Sequence, residues 1–198
     1  MAEFNILVVG VGGQGILFIS EILGDAALRE GLNTKVAEIH GMAQRGGSVA
    51  CNIRIAKDVH SPTITEGTAD IIVGLEPLEV LRNLKYANHE TKIFLNIATI
   101  TPSSSYISRT PYPDKDKTLN EISKVTKKIF IINTIDIAKK TGMTATQNTV
   151  MLGFIAAANI LPIKSKTFIT EIVDRVPSRY KDSNLEAFKL GIQEYKKL

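Results

Sequence analysis

Ile6-Leu7-Val8-Val9 is an unbroken apolar run that ends directly in Gly10-Val11-Gly12-Gly13-Gln14-Gly15, and this junction restricts the fold more than any other stretch. A strand that is apolar on both sides has to be covered on both faces, which is the situation of a central strand in a parallel sheet. Beyond the glycines, Ile16, Ile19, Leu23 and Ala27 recur at helical spacing. Strand, glycine turn and helix therefore follow one another from residue 5 to residue 28. The alternation continues. Strands are expected at 34–39, 49–56, 69–75, 92–98 and 129–133, and helices at 77–87, 119–127, 134–140, 146–161, 167–176 and 184–197. The fold class this predicts is α/β and Rossmann-like, a mostly parallel sheet flanked by helices with a C-terminal helical segment. No linker-like stretch divides residues 1–198, so one domain is expected. The strand at 49–56 alternates Val49, Cys51, Ile53, Ile55 with polar neighbours, which predicts an antiparallel strand at the edge of the sheet with one wet face.

Composition narrows the function. Hydrophobic residues make up 44% and charged residues 22%, enough apolar material for a core and too little charge for disorder. The net charge of +4 comes from scattered lysines and arginines, which reads as solvated surface with no nucleic-acid partner. Cys51 is the one cysteine. It excludes a disulfide framework and any iron–sulfur cluster held by this chain alone, since a cluster needs about four thiolates. A reducing cytoplasm fits, the N-terminal residues carry no basic leader, and no apolar run approaches the roughly 18 residues of a membrane span. Three separated histidines leave no self-contained metal site.

Residues 10–15 satisfy G-x-G-x-x-G in the right context, after a strand and opening a helix. Glycines permit a tight turn and close approach of a ligand, and a helix N-terminus favours anions. Glu38 falls 23 residues after Gly15, near the spacing at which a dinucleotide site places its ribose-binding acid. By itself the motif is compatible with NAD or FAD, with another anionic ligand, or with close packing alone. Two features weaken NAD. Gln14 puts a polar amide into the turn, and no Tyr-Lys pair or other hydride-transfer site follows.

The second loop is the more unusual. In His40-Gly41-Met42-Ala43-Gln44-Arg45-Gly46-Gly47-Ser48 three glycines, a histidine, a glutamine and an arginine fall within nine residues. If the strand before it is parallel to the first, both loops emerge at the carboxyl edge, where open α/β sheets bind ligands. Arg45 beside Gly46 and Gly47 places a planar cation next to approachable backbone, which suits a phosphate or carboxylate. His40 can carry a proton or donate a hydrogen bond.

Taken together, the sequence around Gly10, Gly12, Gly13, Gln14 and Gly15, and that around His40, Gln44, Arg45, Gly46 and Gly47, resembles the beta subunits of indolepyruvate ferredoxin oxidoreductases. It is also similar to the gamma subunits or domains of pyruvate, 2-oxoisovalerate and 2-oxoglutarate ferredoxin oxidoreductases. A third match is Asn148-Thr149-Val150-Met151-Leu152-Gly153. The resemblance covers about residues 5–196. It implies a subunit, inactive alone, of a complex that oxidatively decarboxylates aryl 2-oxoacids with coenzyme A as co-substrate and passes electrons to ferredoxin. It implies further that thiamine diphosphate, Mg and [4Fe-4S] clusters sit on a large alpha-subunit partner and that this chain binds none of them. The residues just named, with Asn148, are the expected active-site edge. A homodimer of the isolated chain stays open, as do a stand-alone NAD-linked oxidoreductase and a nucleotide- or coenzyme A-binding module.

Four smaller features have plain structural readings. Asn148 with Thr146 would cap an apolar helix. Cys51 would be a buried small hydrophobe. Glu76 and Glu79, three apart at a helix start, suit the helix dipole. Residues 112–117 read as a solvated loop.

Overall fold

In the computed structural model, which describes residues 3–41, 46–99 and 112–198, the apolar runs form the strands of one sheet. They are β1 (Phe4–Val11), β2 (Asn33–His40), β3 (Ser48–Ala56), β4 (Ile71–Gly74), β5 (Lys92–Asn96) and β6 (Ile129–Ile132). The spatial order is β2-β3-β1-β4-β5-β6. β1, β4, β5 and β6 pair in parallel. β3 is antiparallel to both β1 and β2, so β2 runs in the direction of β1, and five of the six strands end at the same edge. The described helices are α1 (Ile16–Arg29), α2 (Pro77–Arg82), α3 (Lys115–Val125), α4 (Thr134–Lys139), α5 (Gln147–Ala157), α6 (Ser165–Arg175) and α7 (Lys181–Tyr195).

Alternate side chains of each strand face opposite layers. Ile6, Val8, Ile53, Val73 and Phe94 pack under α1, α5, α6 and α7. Leu7, Val9, Ile72, Ile93 and Leu95 pack against Val80 of α2 and Ile122 of α3. Covering both faces in this way makes the doubly wound arrangement that the unbroken runs predict. Within the first layer, Phe94 stacks on Phe130 at 5.0 Å between ring centroids and meets Phe154 edge-on. α5 and α7 cross with backbone against backbone. A Cβ on Gly153 would lie 2.1 Å from the Phe188 carbonyl oxygen, and one on Gly191 would lie 2.0 Å from that of Val150. Only glycine fits at that crossing. Among the described residues no helix is long and apolar enough to cross a membrane.

Two expectations need correction. β3 is antiparallel as its alternation predicts, but it lies inside the sheet, and the edge belongs to β2. Its polar face is not wet: Asn52 is only 2% exposed, and the Arg54 guanidinium donates to the carbonyls of Ser61 and Thr63, each at 3.0 Å, holding that connection across the sheet. Residues 112–117 are only partly loop. The Asp114 carboxylate accepts from the Lys117 N–H at 2.9 Å and starts α3 at Lys115, so Lys115, Asp116 and Lys117 already belong to its first turn.

Candidate functional site

The two glycine loops meet. β1 and β3 remain in register through Val11 and Ser48. One step further the Gly12 N–H donates to the Gly47 carbonyl at 2.8 Å, and the Gly46 N–H donates to the Gly12 carbonyl at 3.2 Å. Gly46 takes φ +75°, a left-handed conformation that glycine adopts without strain. The reciprocal pair fuses the loops at the edge where the carboxyl ends of five strands gather, which is where open α/β sheets place their chemistry. Gln44 and Arg45, both candidates from the sequence, lie outside the described residues. His40 is exposed at the end of β2, with Nδ1 at 2.9 Å from the Gly41 carbonyl.

Apart from Val11, which ends β1, the residues of the first loop divide into two kinds. Gly10, Gln14 and Gly15 serve the protein's own packing. A Cβ on Gly10 would meet the Gln14 Oε1 at 2.7 Å, and one on Gly15, at φ +80°, would meet the Asn148 Nδ2 at 2.0 Å. The Gln14 side chain is buried. Its Oε1 accepts from the Val11 N–H at 2.7 Å and its Nε2 donates to the Leu75 carbonyl at 2.9 Å. Gly12 and Gly13 are the pair left at the surface, with a crevice on each side. One, of about 310 Å3, is closed by Gly46, Thr99 of the β5 end, Ile135 of α4 and Gln147 of α5. The other, of about 300 Å3, is bounded by Gly15, Leu17, Glu38 and Val49.

Asn148 is no cap. It is the second residue of α5, which starts without a side-chain cap, and the Thr146 hydroxyl turns back to the Met143 carbonyl at 2.8 Å. The Asn148 amide instead lies over Gly15, so the structure brings Asn148 and the first loop together. It does not bring Glu38 into the position of a dinucleotide acid. In that fold the acid-bearing strand is the neighbour of the glycine strand. Here β3 lies between them, with Cys51 paired to both Glu38 and Val8, which puts Glu38 two strand spacings away, about 10 Å.

A carboxylate cluster behind the loops has more to do than answer a helix dipole. Glu76 and Glu79 are each 1% exposed. Glu76 caps α2 by accepting the Glu79 N–H at 3.0 Å, and the Tyr112 hydroxyl donates to its other oxygen. Burial raises the Glu76 carboxyl above its ordinary range. Burial, and then the Glu76 carboxylate, hold the Tyr112 hydroxyl well above its own. Glu79 accepts from Arg82 at 2.5 Å and from the Ser48 hydroxyl, so a buried carboxyl anchors the last residue of the second loop. The sequence shows the spacing of these acids but not their burial. Asn96, a polar residue closing the apolar β5, is a further residue that the sequence reading passed over. It shares the Leu75 carbonyl with Gln14.

An iron–sulfur cluster held by this chain alone does not fit its thiols. A cluster needs about four thiolates, and the single Cys51 is fully buried with its thiol pushed up by that burial. Among the described residues no set of three His, Cys, Asp or Glu side chains could hold a metal ion.

A sheet of this order, with fused glycine loops at its carboxyl edge, defines a class. The chain matches the family described as pyruvate ferredoxin/flavodoxin oxidoreductase over residues 5–194 and belongs to it. It is 42% identical over 192 residues to the indolepyruvate oxidoreductase subunit IorB of Archaeoglobus fulgidus, covering 97% of this chain and 95% of that one. The IorB subunit of Methanothermobacter thermautotrophicus is likewise 42% identical, with 96% of each chain covered. The gamma subunit of a keto/oxoacid ferredoxin oxidoreductase from Geobacter sulfurreducens has the same fold, at TM-score 0.70 and 19% identity over 98% of this chain and 99% of that one. The resemblance read from the two loops therefore stands.

Proposed function

We propose that this chain is the small, cluster-free subunit of a 2-oxoacid:ferredoxin oxidoreductase of the indolepyruvate type, acting as one gamma-type domain over residues 1–198. The observation that carries the reading is the 42% identity to an IorB subunit across 97% of the chain. The fused loops supply the edge at which the work would be done. In this reading a large partner subunit holds thiamine diphosphate with Mg, and the [4Fe-4S] clusters. Those groups would supply the decarboxylation of an aryl 2-oxoacid and the electron path to ferredoxin, with coenzyme A as the acceptor. This chain contributes shape and charge. Gly12, Gly13, Gly46 and Gly47 let a partner or ligand approach the backbone closely, His40 stands exposed at the rim, and Arg45 meets an anionic group at the junction, a coenzyme A phosphate or a carboxylate.

Co-production with a cysteine-rich large subunit tests this. The complex should be brown and should reduce ferredoxin when given indolepyruvate and coenzyme A, while the isolated chain should be colourless and inactive. Arg45→Ala should weaken coenzyme A affinity, turnover or assembly by tenfold or more, the usual scale for one lost charge-assisted bond. The reading fails if the large subunit is equally active alone, or if calorimetry finds micromolar NAD affinity for the isolated chain.

A further inference from the structure

We infer that Gln14 is a positioning residue, the first link of a buried amide relay that borders the crevice beside the fused loops. This rests on the functional reading above for its purpose but not for its geometry. Four hydrogen bonds make the relay. The Val11 N–H donates to the Gln14 Oε1 at 2.7 Å, and the Gln14 Nε2 donates to the Leu75 carbonyl at 2.9 Å. The Asn96 Nδ2 donates to the same carbonyl at 3.2 Å, and the Asn96 Oδ1 accepts from the Thr134 N–H at 3.1 Å. Gln14, Asn96 and Thr134 are 7%, 1% and 1% exposed.

The relay adds side-chain links among four chain segments that the sheet already brings side by side. Val11 ends β1, Leu75 follows β4, Asn96 ends β5 and Thr134 begins α4. Parallel strands are hydrogen-bonded along their length, but at their carboxyl ends the ladder stops and the backbone groups need other partners. Two side-chain amides, each with one acceptor and one donor facing the right way, satisfy them without introducing a charge. Val11 and Gln14 line the 310 Å3 crevice together with Ile135, the neighbour of Thr134, so the relay borders it. Both polar ends of Gln14 are turned inward onto backbone, so its place in the glycine motif is explained by orientation of the edge and not by contact with a ligand.

The donor at the Leu75 carbonyl gives the relay a distinctive test. In Gln14→Glu the carboxyl can replace the amide only when protonated, because an ionised carboxylate would face a carbonyl oxygen with no hydrogen between them. Burial favours the protonated form. The variant should therefore resemble wild type at low pH and lose the link as pH rises. Hydrogen exchange on the full-length chain reads this at Thr134, whose amide bonds to Asn96 and not to Gln14. Protection of the Thr134 amide, corrected for intrinsic rates, should match wild type near pH 5.5 and fall about tenfold near pH 8.5, the scale of one buried group left unsatisfied. Gln14→Met should show the loss at both pH values. In the complex with the large subunit, the affinity of Gln14→Glu should follow the same pH course while wild type stays flat. The relay is refuted if Thr134 protection in Gln14→Glu equals wild type at both pH values, or if it falls equally at both as in Gln14→Met. Failure of the wild-type chain to bind any such subunit would instead refute the functional reading, and the exchange data would still judge the relay.

Discussion

Replacing Gly153 by alanine adds one carbon at the place where α5 and α7 come closest. The added Cβ would stand 2.1 Å from the Phe188 carbonyl oxygen and 2.9 Å from its carbon, whereas ordinary contact begins near 3.4 Å. The obstruction is backbone, so no rotamer change relieves it, and the helices must part by about 1 Å. A radial gap of that size forfeits roughly a quarter to a half of each dispersion contact along the seam, and overpacking of this kind costs about 1–3 kcal/mol, sometimes more. Alanine returns about 1 kcal/mol of helix propensity. A net loss of about 1 kcal/mol is expected, which for a chain of this size lowers Tm by roughly 2–4 °C. Thermal unfolding followed by circular dichroism measures it. Gly191→Ala meets the Val150 carbonyl oxygen at 2.0 Å and should cost as much. The double variant should cost clearly less than the sum, because helices already parted leave room for the second methyl. A Gly153→Ala protein as stable as wild type, or additive costs in the double variant, would refute the reading of this crossing.

Three further outcomes are expected. Gly15→Ala should lose about 1–2 kcal/mol to left-handed strain and more to the displaced Asn148 amide. Asn148→Ala in the same chain should recover the second part but not the first, which chemical denaturation can resolve. The Glu76 carboxyl is raised by burial, so the native state holds its proton more tightly than the unfolded chain, and that contribution to stability is lost as pH rises above 4.5 through the native value. Glu76→Gln should therefore gain on wild type as pH goes from 4.5 to 7, and a gap that does not move with pH would contradict the assignment. Cys51 is fully buried with its thiol pushed up. It should resist a thiol reagent in the native protein and react at once in denaturant.

The sheet was legible because its signal is strong: runs such as Ile6 to Val9 admit a strand covered on both sides and little else. The position of β3 was not. Asn52 and Arg54 look like a solvent face in sequence, and only the return of Ser61 and Thr63 onto that guanidinium shows the face to be covered. Long-range contacts of this sort leave no local period to read. The glycine loops were legible as a place but not as a division of labour. Gly10 and Gly15 look interchangeable with Gly12 and Gly13 until Gln14 and Asn148 are seen lying over them. Asn148 was misread for the same reason. An asparagine near a helix start is a cap by default, and the 3-10 turn Thr144–Thr146 before α5 takes that role away.

The reciprocal bonds of Gly12 with Gly46 and Gly47 have a consequence for how the edge responds to load. Neither loop can fray alone, since opening one breaks both bonds and exposes the other. The pair is one cooperative unit whose local unfolding free energy is shared. A molecule that orders either loop also orders its neighbour across the chain, 34 residues distant between Gly12 and Gly46.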